Sequence, residues 1–234
     1  EHSEAFPVVR YYDWSRAVLP YPYCIYDWID GEPLWESPHE RLYALAGQTL
    51  ARIHRVQFSA FYADFLAVGV HPVSWPERYR TALDKELTAA RVHLSPTLVE
   101  ELRVLAVPSS IATAPCLVHN DFAPGNILVR DGHIAAVIDW DNAVIDVPHL
   151  DFVKMKYWTA RNVAGELAHE PALFDAFVDG YGPTGRDITE SPLFRLYEVL
   201  WLLRVFNFER SKEERGLARA PGYPAAACRP PRPA

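Results

Sequence analysis

Cysteine is scarce in this sequence. Three occur in 234 residues, Cys24, Cys116 and Cys228, far apart and odd in number. They form neither a disulfide framework nor a metal-ligand spacing, which points to a reducing compartment. Long apolar runs are also missing. The most apolar stretch, "LFRLYEVLWLLRVFNF", carries Arg195, Glu198 and Arg204, too many charges for a membrane-spanning helix. The N-terminal "EHSEAFPVVR" is acidic and has no apolar run, so it is not a signal peptide. A basic surplus is absent: the net charge of −7 lacks the positive footprint that nucleic acid requires. That acidity is compatible with a cationic substrate without demanding one. The expectation is a cytoplasmic protein with no nucleic-acid or membrane partner. No internal repeat stands out.

What is present is enough for a core: 50% of the residues are hydrophobic and 13% aromatic. Residues 6–29 read as short strands. "FPVVRYYDW" and "YPYCIYDWI" are rich in aromatic and β-branched residues, and two prolines lie between them. Gly31 and Pro33 then break the chain. From Pro38 to Val56 the period becomes helical, with Leu42, Leu45, Ala46, Leu50 and Ile53 on one stripe. Ser37-Pro38 predicts an N-cap followed by proline at the first helical position. Further helices are expected over 76–92, 96–107, 148–162, 165–180 and 190–212, the last apolar nearly all round and therefore buried. Strands first and helices later, with one β-hairpin between, predict an α+β fold with a mainly helical larger lobe. Residues 217–234 hold five prolines and little pattern and read as a disordered tail.

The hairpin carries the chemistry. In "LVHNDFAPGNILVRDGHIAAVIDW", Asp131-Gly132 between two apolar runs predicts a two-residue type I′ turn. Arg130 then pairs with His133. Counting back, Asn126 lies opposite Val137, and Asp139 follows two residues later. A bulge would shift this register by one. Asp121 precedes Asn126 by five residues on the same loop. Three oxygen-bearing side chains thus meet at the open end of one hairpin. Asn126 and Asp139 are hard oxygen ligands suited to Mg²⁺, which is held by one or two carboxylates plus phosphates and water. Asp121 is placed to take or orient the proton of an attacking hydroxyl. A lone Asp in such a loop more often caps a turn; the joint pattern is what favours chemistry.

These residues carry a resemblance. "HNDFAPGN" fits H-x-D-x-x-x-x-N, the catalytic-loop pattern of kinase-like enzymes, and "VIDW" follows the hairpin. The run from Leu117 to Phe152 resembles the aminoglycoside phosphotransferase/choline kinase family, which has a protein-kinase-like fold. "LAGQTLARIH" and "YCIYDWIDGEPL" resemble that family's first large-lobe helix and its inter-lobe linker. The resemblance implies Asp121 as catalytic base, with His119 in the catalytic loop as its support. It implies Asn126 and Asp139 as Mg²⁺ ligands, and a nucleotide, ATP, lying against Asp27, Trp28 and Ile29, mainly their backbone. Asp141 would reach the metal through water or shape the acceptor pocket. Asp146 and Asp151 both fit the family's next acid, with Asp151 favoured as the buried brace of the loop. Residues 1–35 would be remnant small-lobe strands and linker, 36–216 the large lobe with the catalytic loop and acceptor-side helices, and 217–234 the tail.

A complete enzyme of this kind has a phosphate-covering loop and a strand lysine. The four lysines here are Lys85, Lys154, Lys156 and Lys212, all in helical context and none before the linker. With no initiating Met, the expectation is that most of the small lobe has been lost. "GYGPTG", Gly180 to Gly185, fits G-x-G-x-x-G literally. It follows a helix and not a strand, so a left-handed helix C-cap by Gly180 or Gly182 is the expectation. His54 reads as packing. Trp158, Tyr197, Trp201, Phe206 and Phe208 read as core before substrate platform. Asp175, Asp179, Glu190, Glu198 and Glu209 read as a solvated face before an amine-binding one. The expected acceptor is a small-molecule hydroxyl, foremost an aminoglycoside-like antibiotic. A choline, homoserine or amino-sugar kinase and a catalytically silent kinase-like module stay open as alternatives.

Overall fold

The computed structural model describes residues 6–63, 71–105, 107–161 and 167–214. The expected tail at 217–234, with Cys228, lies outside the described residues.

The chain opens with β1 (Val9–Asp13) and β2 (Tyr23–Tyr26), an antiparallel pair with a bulge between Val9 and Tyr11. Tyr11, Tyr12 and Ile25 are exposed on it. Phe6, just before β1, packs its ring 5.5 Å from that of Trp140. After residues 27–31, β3 (Glu32–Pro33) leads into α1 (Glu40–Ile53). The helix starts later than Ser37-Pro38 suggests. Leu34–Glu36 forms a tight turn capped at Ser37, and the N-cap is His39, whose ring accepts a bond from the Arg41 N–H at 3.1 Å.

Next come β4 (Phe61–Tyr62) and β5 (Pro72–Val73), paired with each other, then α2 (Trp75–Ala90) and α3 (Pro96–Arg103). Ser74 and Ser95 cap these helices through their side chains, and prolines occupy the first turns. The middle of the chain is β6 (Cys116–Val118), β7 (Ile127–Arg130), β8 (His133–Val137) and β9 (Val144–Asp146). Then follow α4 (His149–Tyr157), the short strands β10 (Ala160–Arg161) and β11 (Leu167–Ala168), α5 (Pro171–Tyr181), α6 (Thr184–Glu190) and α7 (Pro192–Glu214).

The hairpin β7–β8 turns at Asp131 and Gly132, with φ of 51° and 72°, as a type I′ turn requires. Arg130 pairs with His133, but Ala135 is bulged out. Ile127 therefore faces Val137, not Asn126 as uniform counting predicts. The short strand β3 adds to the outer edge of β7, giving the order β3-β7-β8. The segment after β2 is thus hydrogen-bonded, through β3, to the strand that follows the loop of Asp121.

The core lies among the helices. Leu42, Ala46, Leu50 and Ile53 of α1 are buried with Tyr43, and the helix packs closely on α5. Gly47 and Gly180 permit that approach: a Cβ on Gly180 would sit 2.1 Å from the Ala44 carbonyl oxygen, and one on Gly47 2.1 Å from that of Phe177. Gly182 ends α5 at φ 107° and ψ −166°, a region only glycine visits freely. It is a helix terminator, though not in the left-handed helical form. α7 buries Phe194, Tyr197, Leu200 and Trp201 but exposes Leu202 and Phe208, so it is not buried all round. Among the described residues, no helix is long and apolar enough to cross a membrane.

Candidate active site

The loop from His119 to Asn126 leaves β6 and enters β7. Its first turn is held from below by Asp151, a fully buried carboxylate in the first turn of α4. One oxygen accepts the Asn120 N–H at 2.7 Å and the other the His119 N–H at 2.9 Å. Asn120 takes a positive φ of 60°, which asparagine tolerates better than most residues. The second Asp151 oxygen also meets His54 Nε2 at 3.1 Å, and Tyr181 Oη lies 2.9 Å from His54 Nδ1. His54 is therefore part of a buried polar chain, more than a packing residue. Burial pushes the Tyr181 phenol well up from its ordinary value.

His119 is also fully buried. Its Nδ1 accepts the Asp121 N–H at 3.2 Å, so its hydrogen sits on Nε2 and is donated to the Ile138 carbonyl at 3.0 Å. The ring lies 4.5 Å from that of Trp140. Both nitrogens are engaged by backbone, so the side chain holds the loop and faces no open space with a free nitrogen.

Asn126 closes the loop. Its Nδ2 donates to the Asp121 carbonyl at 2.9 Å, and its own carbonyl accepts the Ile138 N–H at 2.9 Å. The bulge at Ala135 thus brings Asp139 one residue beyond Asn126's partner, closer than an unbulged hairpin would. Asp139 is exposed, with left-handed φ and ψ of 64° and 61°. Partial burial, then the negative charges of Asp121 and Asp141, raise its carboxyl above the ordinary range. Asp141 is exposed beside it in the short turn Trp140–Asn142.

The Asp121 carboxylate is half-buried and ion-paired with Lys154 Nζ. Lys154 lies on α4 three residues after Asp151, on the same helix face, and 5.3 Å from the centre of the Trp158 ring. Sequence reading missed this lysine as a site residue. The signal was its spacing: a helix that aims Asp151 at the start of the loop aims the next turn at Asp121.

Asp121 opens onto a cavity of about 870 Å³ between α2, α4 and α7. Asp146 lines it and is nearly buried. It accepts Arg78 Nε at 3.1 Å and the Tyr197 hydroxyl, and Trp75 Nε1 donates to that same hydroxyl at 2.8 Å. Trp158, Tyr197, Trp201 and Phe208 also line this cavity, while Phe206 packs on His93. Of the acids read as a solvated face, Glu209 reaches the cavity. Asp175 and Asp179 pair with Arg186 on an exposed surface, and Glu198 is buried among Lys156, Tyr157 and Arg195.

Asp27, Trp28 and Ile29 lie elsewhere. They line a second cavity of about 490 Å³, closed on its other side by the hairpin residues Arg130 to Ala135. Among the residues lining it are none of Asp121, Asn126 and Asp139. The Asp27 carboxylate is held by Arg10, Nε to Oδ1 at 2.8 Å and Nη2 to Oδ2 at 2.5 Å.

The sequence profile of the phosphotransferase enzyme family matches residues 1–190. The chain belongs to this family. No curated protein matches the sequence. Solved structures share its fold. One is a complex of gentamicin with APH(2")-IIa, 18% identical, TM-score 0.62, covering 91% of this chain and 71% of that one. A second is a thermostable mutant of the aminoglycoside phosphotransferase APH(4)-Ia with ADP and hygromycin B, 20% identical, TM-score 0.63, covering 92% and 72%. A third is the macrolide 2'-phosphotransferase MphH from Brachybacterium faecium, 21% identical, TM-score 0.57, covering 91% and 69%. This phosphotransferase has the α+β, kinase-like fold of these enzymes and is an enzyme of the small-molecule phosphotransferase kind. In it, "GYGPTG" joins the end of α5 to the start of α6, so a helix and not a strand precedes the motif and its phosphate-loop reading has no support in the fold.

Proposed function

We propose that this phosphotransferase moves the γ-phosphoryl group of ATP to a hydroxyl of a small molecule, with Asp121 as the base. The carrying observation is the Asn126 bridge: one side chain bonds the Asp121 carbonyl while its backbone bonds the residue before Asp139. Base and candidate ligands therefore move as one unit.

The donor set suits a divalent cation. The Asn126 amide oxygen and the Asp139 carboxylate are hard ligands, and Asp139 carries repulsion from two neighbouring carboxylates that a cation would relieve. Among the described residues, no group of three or more His, Cys, Asp or Glu is arranged to hold a metal by itself. Mg²⁺ commonly completes its shell with nucleotide phosphates and water. Held by Asn126 and Asp139, such an ion would neutralise charge on the transferred phosphoryl group.

Asp121 accepts the acceptor's hydroxyl proton as the new O–P bond forms and the bond to the β-phosphate bridging oxygen breaks, releasing ADP. Lys154 is ion-paired with its carboxylate and holds it in place. His119, Asp151 and His54 hold the loop so that little reorganisation accompanies the transfer. Asp141, exposed two residues after Asp139, would add negative charge beside a cation held there. The linker Asp27–Ile29 offers backbone groups and the Trp28 ring to the adenine. The cavity beside Asp121 receives the acceptor.

The aminoglycoside-like acceptor draws support from the family and from the solved structures sharing the fold. Metabolite kinases of the same fold, with choline, homoserine or amino-sugar acceptors, use the same chemistry. ATP-dependent phosphorylation of a panel of antibiotics, amino-sugars and amino-alcohols tests the proposal. ADP release that depends on one of these acceptors supports it, and none across the panel contradicts it.

A further inference from the structure

The base of the proposed transfer already holds a cation. Lys154 Nζ bonds Asp121 Oδ1, and among the described residues Oδ2 of the same carboxylate has no hydrogen-bond partner. A lysine ammonium carries three donors. Among the described residues, Asp121 is the acceptor bonded to Nζ, so the other donors are free. Neither side chain is deeply buried: Lys154 is 19% exposed and Asp121 21%, and both line the cavity between α2, α4 and α7. An ion pair at such exposure adds little to stability. Stability alone is a weak reason for a lysine here.

Charge is a stronger one. Asp121, Asp139 and Asp141 bring carboxylates to the reaction end of the site, and the Lys154 charge reaches Asp139 as well as Asp121. A γ-phosphoryl group entering beside these acids adds negative charge, and its transfer depends on neutralising that charge. Among the described residues, five cationic side chains line the cavity. Arg78 is tied to Asp146 at 3.1 Å and to the carbonyls of Tyr62 and Ala63. Arg204 faces Glu86 at 3.7 Å, Lys212 holds Glu209 at 3.0 Å, and Lys85 is exposed on α2. Lys154 is the one of the five that is paired with Asp121.

Its position is fixed from the same helix. Asp151, three residues earlier on α4, bonds the His119 and Asn120 N–H groups, which ties the loop of Asp121 to the helix of Lys154. A hydroxyl bonded to Asp121 Oδ2 stands about 3 Å from that oxygen, and the phosphorus about 3–3.5 Å beyond it. A flexible lysine anchored on Oδ1 spans to the phosphoryl oxygens over that distance.

We infer that Lys154 is a further catalytic residue of the transfer: one ammonium N–H stays on Asp121 Oδ1, leaving Oδ2 to the acceptor hydroxyl, and another donates to an oxygen of the γ-phosphoryl group. The lysine remains protonated throughout. The hydroxyl proton goes to Asp121, the new O–P bond forms, and the electron pair of the broken P–O bond leaves with ADP. This role rests on the reading of Asp121 as the base.

Nucleotide binding tests the contact without an acceptor. The full chain is titrated by calorimetry, in Mg²⁺, with ADP alone and with ADP plus aluminium fluoride, which stands in for the phosphoryl group in transfer. The wild-type protein is expected to bind the fluoride complex more tightly than ADP. Lys154→Met is expected to weaken the fluoride complex about 10- to 100-fold, the range for a charge-assisted hydrogen bond, with ADP binding little changed. Lys154→Arg, which keeps a charged donor, is expected to recover most of that loss. A Lys154→Met protein that binds the fluoride complex as tightly as wild type, or more tightly, overturns the inference and leaves the reading of Asp121 standing. Equal weakening of ADP and of the fluoride complex overturns it too, since a lysine that only holds the loop in shape would act on both. A wild-type protein that binds ADP equally with and without fluoride contradicts the phosphoryl-transfer reading itself, and the inference falls with it.

Discussion

His119 Nε2 donates to the Ile138 carbonyl at 3.0 Å. That bond joins the start of the Asp121 loop to the residue preceding Asp139. The imidazole is a strut across the site. Its removal in His119→Ala leaves a buried carbonyl and an empty ring volume beside Trp140. The expected cost is about 2–4 kcal/mol of stability. Urea denaturation at pH 7 measures it, and a loss under about 0.5 kcal/mol would contradict a strut role.

Asp151 is the brace beneath the same loop. Asp151→Asn keeps the volume, removes the charge and turns an amide toward two N–H donors. The variant is expected to lose about 3 kcal/mol or more, as when a buried charged partner is removed. Hydrogen exchange at the His119 and Asn120 amides is expected to accelerate as well. Unchanged protection there would contradict bracing by Asp151.

Gly180 separates two readings of one motif. Its Cβ would collide with the backbone of Ala44, so Gly180→Ala forces α1 and α5 apart. A loss of about 1–3 kcal/mol is expected, with the ATP dissociation constant unchanged in the variant that remains folded. Weakened nucleotide binding with intact stability would restore the phosphate-loop reading.

His149 gives a pH signature. It is 4% exposed, its Nε2 lies 3.0 Å from Ser191 Oγ, and its ring stacks on Tyr197. Burial, with help from nearby His54, lowers it from 6.5 to about 4. Between those values the unfolded chain binds a proton that the folded chain refuses, so stability is full above about pH 6.5 and falls as pH drops toward 4. His149→Phe loses the Ser191 bond at pH 7, about 1 kcal/mol, but removes this dependence. Urea midpoints from pH 7 to 5 are expected to converge. Parallel slopes for both proteins would contradict a neutral buried His149.

Much of this architecture was legible because local rules dominate there. Asp131-Gly132 fixes its turn by the positive φ that both positions take, and Ser95-Pro96 starts α3 by capping. The register of Asn126 was not legible, since the bulge at Ala135 has no signature in the chain. Nor was the start of α1, where the turn Leu34–Glu36 displaces the cap from Ser37 to His39. The loop residues from His119 to Asn126 stood out by spacing, whereas Lys154 and His54 did not. A lysine or histidine on a helix declares its role only when the packing of that helix is known. Asp27 is a similar case: Arg10, seventeen positions away, holds its carboxylate, a pairing that no local rule announces.

The central claim is that Asp121 is the base of a phosphoryl transfer. Asp121→Asn preserves the shape at a half-buried position and removes the proton acceptor. With an acceptor that the wild-type protein phosphorylates, kcat is predicted to fall about 100-fold or more, with little change in Tm or acceptor binding. Turnover within a few-fold of wild type, in a folded variant that binds the same acceptor, would contradict the account.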